Sequence, residues 1–224
     1  MKKIITWLCL GLVVAAASWA LVPTDFFRAH DYVHAARIAE MTRALADGHF
    51  PVRWTQNFGY GYGMPLFEFY APLPYYVGSF FYWLGLDVVA TVKILFLLTA
   101  VMTAGGGYRL GKKLFGRLGG ILTAAAITLA PYRAVNLFIR GALSEAWGMM
   151  AMPWILLQII RLIKQEKNAW QRLVFWYVVL MLSHNIMTML FVPLSLLFAV
   201  LYLGYRKWLE RDQSNGQLQA LWQL

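Results

Sequence analysis

Apolar residues gather into long blocks near residues 4–22, 88–108, 118–135, 146–163 and 173–205, and polar residues fall in the links between them. Blocks of about 18 or more apolar residues are long enough to cross a bilayer as helices. The pattern predicts an all-α fold, a polytopic integral membrane helical bundle. The last block would run about 50 Å as one helix at about 1.5 Å per residue. That exceeds a bilayer, and the polar triplet Ser183-His184-Asn185 interrupts it. A turn there gives about six membrane helices, and an unbroken run about five.

The first block follows Lys2-Lys3 and ends in the small residues Ala15–Ala20. It looks like a secretory signal, but its apolar core exceeds the usual roughly 7–15 residues. An uncleaved first helix over 1–22 is expected. Residues 23–87 then form a long external loop. Within it Ala29 to Ala46 is helix-like, with Ile38, Met41 and Leu45 on one apolar face and Asp47-Gly48 as a stop. Such a helix lies along a membrane surface rather than across it. Residues 73–86 (LPYYVGSFFYWLGL) are too short for an ordinary span and predict an interfacial or re-entrant helix. The bundle occupies 88–205. Residues 206–224 form an amphipathic tail without a closing feature, as a truncated copy would have.

Charge orients this layout. The links at 109–117 and 161–172 are basic, with Glu166 their only acid. The links at 23–87 and 136–145 carry Asp25, Asp31, Glu40, Asp47, Glu68, Asp87 and Glu145, together with His30, His34 and His49. Cytoplasmic loops collect Lys and Arg. The N-terminus is therefore expected in the cytoplasm of a bacterial inner membrane, with the titratable face external.

Composition agrees. The chain is 60% hydrophobic and 13% charged, which excludes an ordinary soluble domain. Its net charge of +10 is dispersed along the links. Membrane lipids with anionic headgroups explain that charge better than nucleic acid does. Cys9 is the only cysteine, so neither an internal disulfide nor a cysteine metal site can form. Motifs of soluble catalysis are absent: no phosphate loop, no His-Glu-x-x-His and no nucleophile elbow.

The external segments hold the candidate chemistry. On a helix His30, His34 and Arg37 share a face, with Asp31 near His34. Two imidazoles at that spacing beside a carboxylate suit a divalent metal; the alternative is a solvated polar face. Asp31 or Asp25 could act as a general base or orient a substrate, since partial burial tunes an acid. Arg133, Arg140 and Glu145 flank the second external link. Arginine matches phosphate oxygens bidentately, though interfacial anchoring or an Arg140–Glu145 ion pair would also account for them. Lys93 could snorkel to the surface. His184 lies at a helix turn or inside the membrane, where ionisable groups mark functional sites; a backbone partner would make it structural.

Three stretches carry a family resemblance: Gly48-His49-Phe50-Pro51-Val52-Arg53-Trp54, then Gly61-Tyr62-Gly63-Met64-Pro65-Leu66-Phe67, then Phe69-Tyr70-Ala71-Pro72-Leu73-Pro74-Tyr75-Tyr76. Together they resemble the bacterial membrane proteins of the 6-pyruvoyl-tetrahydropterin synthase-related family, over roughly residues 20–200. That family is similar in layout to the GT-C membrane glycosyltransferases, in which the first external loop supplies a catalytic acid and the donor is a polyprenyl-phosphate sugar. The resemblance implies Asp31 or Asp25 as that acid and Arg53 as part of an Arg-Trp motif, and Arg140 and Glu145 sit in an Arg-Gly-Ala-Leu-Ser-Glu stretch that also resembles the family; His184 joins the substrate-side candidates on its position alone. Neither a nucleotide nor a pterin is implied, because nothing here builds the three-histidine zinc site of a soluble pterin synthase. Two features depart from GT-C enzymes: His30 replaces the first acid of their paired motif, and the chain is short. A non-catalytic lipid-phosphate carrier, transporter subunit or scaffold is the rival reading.

Overall fold

A computed structural model describes residues 2–22 and 29–221. Among them every regular element is helical, and the only β contact is an isolated bridge between Thr55 and Met64.

Helix α1 (Lys2–Ser18) is followed by a 3-10 turn (Trp19–Leu21). The next described segment carries α2 (His34–Ala46), α3 (Leu66–Phe69) and α4 (Leu73–Trp83). The sequence pattern placed the start of α2 at Ala29, but the helix starts at His34. The preceding residues are instead held by main-chain bonds, His30 N–H to Ile139 O at 2.9 Å and Asp31 N–H to Arg140 O at 3.0 Å. Helix α4 starts where prolines can occupy a first turn and stops at Gly85, whose φ of +89° favours glycine. At 11 residues it is too short to cross a bilayer, in line with an interfacial or re-entrant helix.

Helix α5 (Val88–Thr128) opens with an N-cap: the Asp87 carboxylate accepts the N–H groups of Val89 and Ala90 at 2.8 and 3.0 Å. It is two limbs rather than one rod. Gly116, at φ 75° and ψ −169°, turns the chain back on itself. Small residues let the limbs close: a Cβ on Gly111 would lie 2.3 Å from Thr123 Oγ1, and one on Gly107 would lie 2.4 Å from Ile127 Cδ1. The returning limb ends at Thr128, short of the expected 135, because Pro131 lacks an N–H to continue it. A four-residue α6 (Pro131–Ala134) and a π-helical turn (Val135–Arg140) replace its last turns.

Helix α7 (Leu143–Ile163) is the central post, packed against α5, α8 (Ala169–Ser183) and α9 (Asn185–Leu221). The break expected at Ser183-His184-Asn185 separates α8 from α9, with His184 extended. Among the described residues four helical segments are long and apolar enough to cross a membrane: Lys3–Leu21, Val88–Thr128 with its two limbs counted together, Leu143–Ile163 and Asn185–Leu209. Helix α8 is apolar but shorter.

Two apolar clusters hold the fold together. One joins Ile38 and Met41 of α2, Tyr75 of α4, Leu95 and Phe96 of α5, and Leu143 and Trp147 of α7. The other joins Ile155 and Ile160 of α7 to Trp176 and Leu180 of α8, with the Trp154 and Trp176 rings stacked at 4.9 Å. Glu166 pairs with both Lys113 and Arg161, so the two basic links meet at one end. The acidic and histidine-bearing segments meet at the other.

Candidate functional site

Two polar networks occupy that second end, joined through Gly141 and Ser144. The first is centred on His34. Its Nε2 lies 2.5 Å from the Gly141 carbonyl, which can only accept, so Nε2 carries the proton. In the neutral ring Nδ1 then accepts from the Tyr75 hydroxyl at 3.0 Å. The Tyr75 oxygen in turn accepts from Arg37 at 3.0 Å and lies 3.5 Å from Ser144 Oγ. The Arg37 guanidinium also sits 4.1 Å over the Tyr70 ring. Burial holds the His34 imidazole below its usual range and the Arg37 charge adds to this, against the Gly141 bond and the Asp31 charge. Burial likewise raises the Tyr75 hydroxyl.

The second network is built on the π-helical turn. Arg140 donates to Asn136 Oδ1 at 2.8 Å and pairs with Glu145 at 2.8 Å. Tyr132 donates to the other Glu145 oxygen at 2.5 Å, and this bond raises its own hydroxyl above the phenolic range. Glu145 is buried while Arg140 is half exposed, so the cation forms the outer lip. Beneath it Arg133 is buried, donating to Thr99 Oγ1 at 3.0 Å and to the Thr128 carbonyl at 3.4 Å. Among the described residues no carboxylate pairs with Arg133.

His184 caps α9: its Nδ1 accepts the Met187 N–H at 3.1 Å. Burial holds this imidazole below its usual range, with Glu145 opposing and Arg140 reinforcing the shift. Asn185 donates to the Phe69 carbonyl at 3.0 Å and so ties the α8–α9 junction to α3. A cavity of about 100 Å³ lies here, lined by Tyr70, Ser144 and His184. It shares Tyr70 and Asn185 with a cleft of about 450 Å³ that Arg53, Glu68 and Tyr76 also line. Arg53 and Glu68 are paired at 3.1 Å within that cleft.

The expected site residues therefore separate into groups. Arg140 and Glu145 are paired, His184 lies near enough to feel both charges, and Asp31 is joined to Arg140 through its main chain alone. Arg53 stands apart, in the larger cleft. His30 and His34 are not a helical pair: His30 precedes α2 and is exposed, whereas His34 is buried with both nitrogens bonded to protein. Among the described residues no group of three or more histidine, cysteine, aspartate or glutamate side chains is placed to hold a metal. Asp25 lies outside the described residues. Lys93 is partly buried on α5.

Tyr75, Tyr132 and Ser144 escaped the sequence reading. Tyr75 sits in an aromatic stretch that suits a headgroup layer, and Tyr132 follows Pro131 with nothing in the pattern to mark it. Only the tertiary contact shows that their hydroxyls are used. Glu40 was seen only as a charge, yet it is buried and accepts the Asn57 main-chain N–H at 3.0 Å, which anchors the turn before Met64.

The sequence profile of the 6-pyruvoyl-tetrahydropterin synthase related domain, a membrane protein family, matches residues 67–214. The chain belongs to this family. The matched range of the 6-pyruvoyl-tetrahydropterin synthase related domain takes in Tyr75, Tyr132, Arg140, Glu145 and His184, and leaves Asp31, His34 and Arg53 before its start. None of the curated proteins matches the chain.

Proposed function

We propose that this membrane protein is a GT-C-like glycosyltransferase module that moves a sugar from a polyprenyl phosphate to an envelope acceptor. One observation carries the reading: the main-chain bond from Asp31 to Arg140. It supports a site in which an acid from the first loop stands beside a cation suited to phosphate. Arg140 holds the carrier phosphate and stabilises its charge as the sugar departs. The acceptor oxygen bonds to the anomeric carbon, and the bond from that carbon to the phosphate oxygen breaks. The acceptor proton passes to the Asp31 carboxylate, and the polyprenyl phosphate leaves with the electron pair. Exposed His30 orients the acceptor. The basic links favour the cytoplasm, and this supports a periplasmic face of the inner membrane for the site.

The test is the envelope glycolipid profile of a deletion strain carrying either the wild type or Asp31→Asn. Restoration of a lost sugar modification by the wild type alone supports the proposal. Restoration by both forms overturns it. The second reading, a non-catalytic lipid-phosphate binder or scaffold, is favoured by one observation. Glu145, Tyr132 and Asn136 already engage Arg140, so the cation needs no ligand for its stability.

A further inference from the structure

We propose that the basic end of the protein holds an anionic phospholipid between α1 and α5, independently of any transfer chemistry. A groove of about 500 Å³ runs between these helices, lined by Trp7, Leu10, Val14, Val101 and Tyr108 and floored by Trp154. The floor can lie this deep because Gly106 leaves room: a Cβ there would lie 2.7 Å from Trp154 Nε1. Trp154 Nε1 donates to the Met102 carbonyl at 2.9 Å, so the groove wall is apolar apart from Arg109, whose guanidinium lies 4.8 Å over the Trp154 ring.

Trp7 and Tyr108 also line a basin of about 480 Å³ at the basic end, whose other walls are Lys3, Thr6, Lys112 and Arg117. Apolar groove and cationic basin are therefore continuous. The Arg117 fork is held in place by its Nε bond to Thr6 Oγ1 at 2.8 Å. Among the described residues no carboxylate pairs with Lys3, Lys112 or Arg117, whereas neighbouring Lys113 is paired with Glu166. Three cations around a hollow that opens into an apolar slot match one chemistry, an anionic headgroup carrying acyl chains. Glycerophospholipid in the surrounding leaflet supplies it.

The test uses the full chain, purified in detergent and titrated with phosphatidylglycerol or phosphatidylcholine, with bound lipid counted by native mass spectrometry. The protein retains phosphatidylglycerol in preference to phosphatidylcholine. Lys112→Ala with Arg117→Ala weakens that binding roughly thirtyfold, from the loss of two headgroup cations. Lys167→Ala with Arg172→Ala removes the same charge from exposed positions at the same end and leaves binding unchanged. Gly11→Leu provides a variant that keeps every cation. A Cβ at Gly11 meets no atom within 4 Å, so the side chain enters the groove and displaces the acyl chain. Inorganic phosphate does not compete. Equal binding of the two lipids, equal weakening in both double variants, or unaltered binding in Gly11→Leu would each overturn the proposal.

Discussion

The His34 ring is bonded to the Gly141 carbonyl, 107 residues further along the chain. Gly141 has φ 67° and ψ 27°, a left-handed conformation that few side chains adopt. A Cβ there would also lie 2.8 Å from Ala29 Cβ and 3.2 Å from the Asp31 carbonyl. One residue thus ties the start of α2 to the link before α7.

Gly141→Ala should lower the stability of the purified protein by about 2 kcal/mol or more, from backbone strain added to overlap. Gly61→Ala is the control. Its φ is 88°, but a Cβ there meets nothing within 4 Å, so only the backbone cost of about 1 kcal/mol remains. Thermal unfolding in detergent separates the two, and equal melting temperatures would refute the clamp.

Stability should fall with acid in a defined window. His34 is held below its ordinary value of 6.5 by burial, so the native ring stays neutral where the unfolded ring already takes a proton. The contribution is complete above about pH 6.5 and declines as pH drops from there toward the native value. His184 is depressed as well and adds the same sign. Unfolding of His34→Gln between pH 7.5 and 5 should show a shallower slope than the wild type, with the His184 part left over.

Lipid-phosphate binding should depend on Arg140 and not on Asp31. Arg140→Ala should weaken farnesyl phosphate binding by about tenfold, through loss of a charge-assisted contact of about 1.5 kcal/mol. Asp31→Asn should bind as the wild type does, because the proposed transfer uses its carboxylate only for the acceptor proton. Calorimetry on the detergent-solubilised protein distinguishes these. Unchanged affinity in Arg140→Ala removes the phosphate role from that residue.

Closure of α5 should fail when its small residues grow. Gly111→Val forces a Cβ to within 2.3 Å of Thr123 Oγ1 and 2.7 Å of the Gly119 carbonyl. A loss of about 1–3 kcal/mol is expected. Gly204→Val, where nothing lies within 4 Å, should melt near the wild type.

The large features were legible because hydropathy and charge report them directly. A polar triplet in an apolar run marked the break at His184, and a basic link marked the turn now seen at Gly116. Other features depend on contacts that a linear pattern does not encode. Periodicity ran α2 back to Ala29, but main-chain bonds to Ile139 and Arg140 hold His30 and Asp31 out of the helix. The two-histidine pairing failed with it. Block length extended the third apolar run to 135, although Pro131 ends the limb and Arg133 finds Thr99 instead of water. The closeness of Asp31 and Arg140 comes from the same main-chain bonds and has no signature in either stretch alone.

The single-residue turn at Gly116 also bears on biogenesis. A reversal this tight keeps the two limbs of α5 in contact from Gly107 onward, so they enter a membrane most economically as a pair. Arg109, Lys112, Lys113 and Arg117 cluster at its tip, and carrying them through hydrocarbon would be costly. A tip that keeps these cations in water ties the orientation of one limb to that of the other.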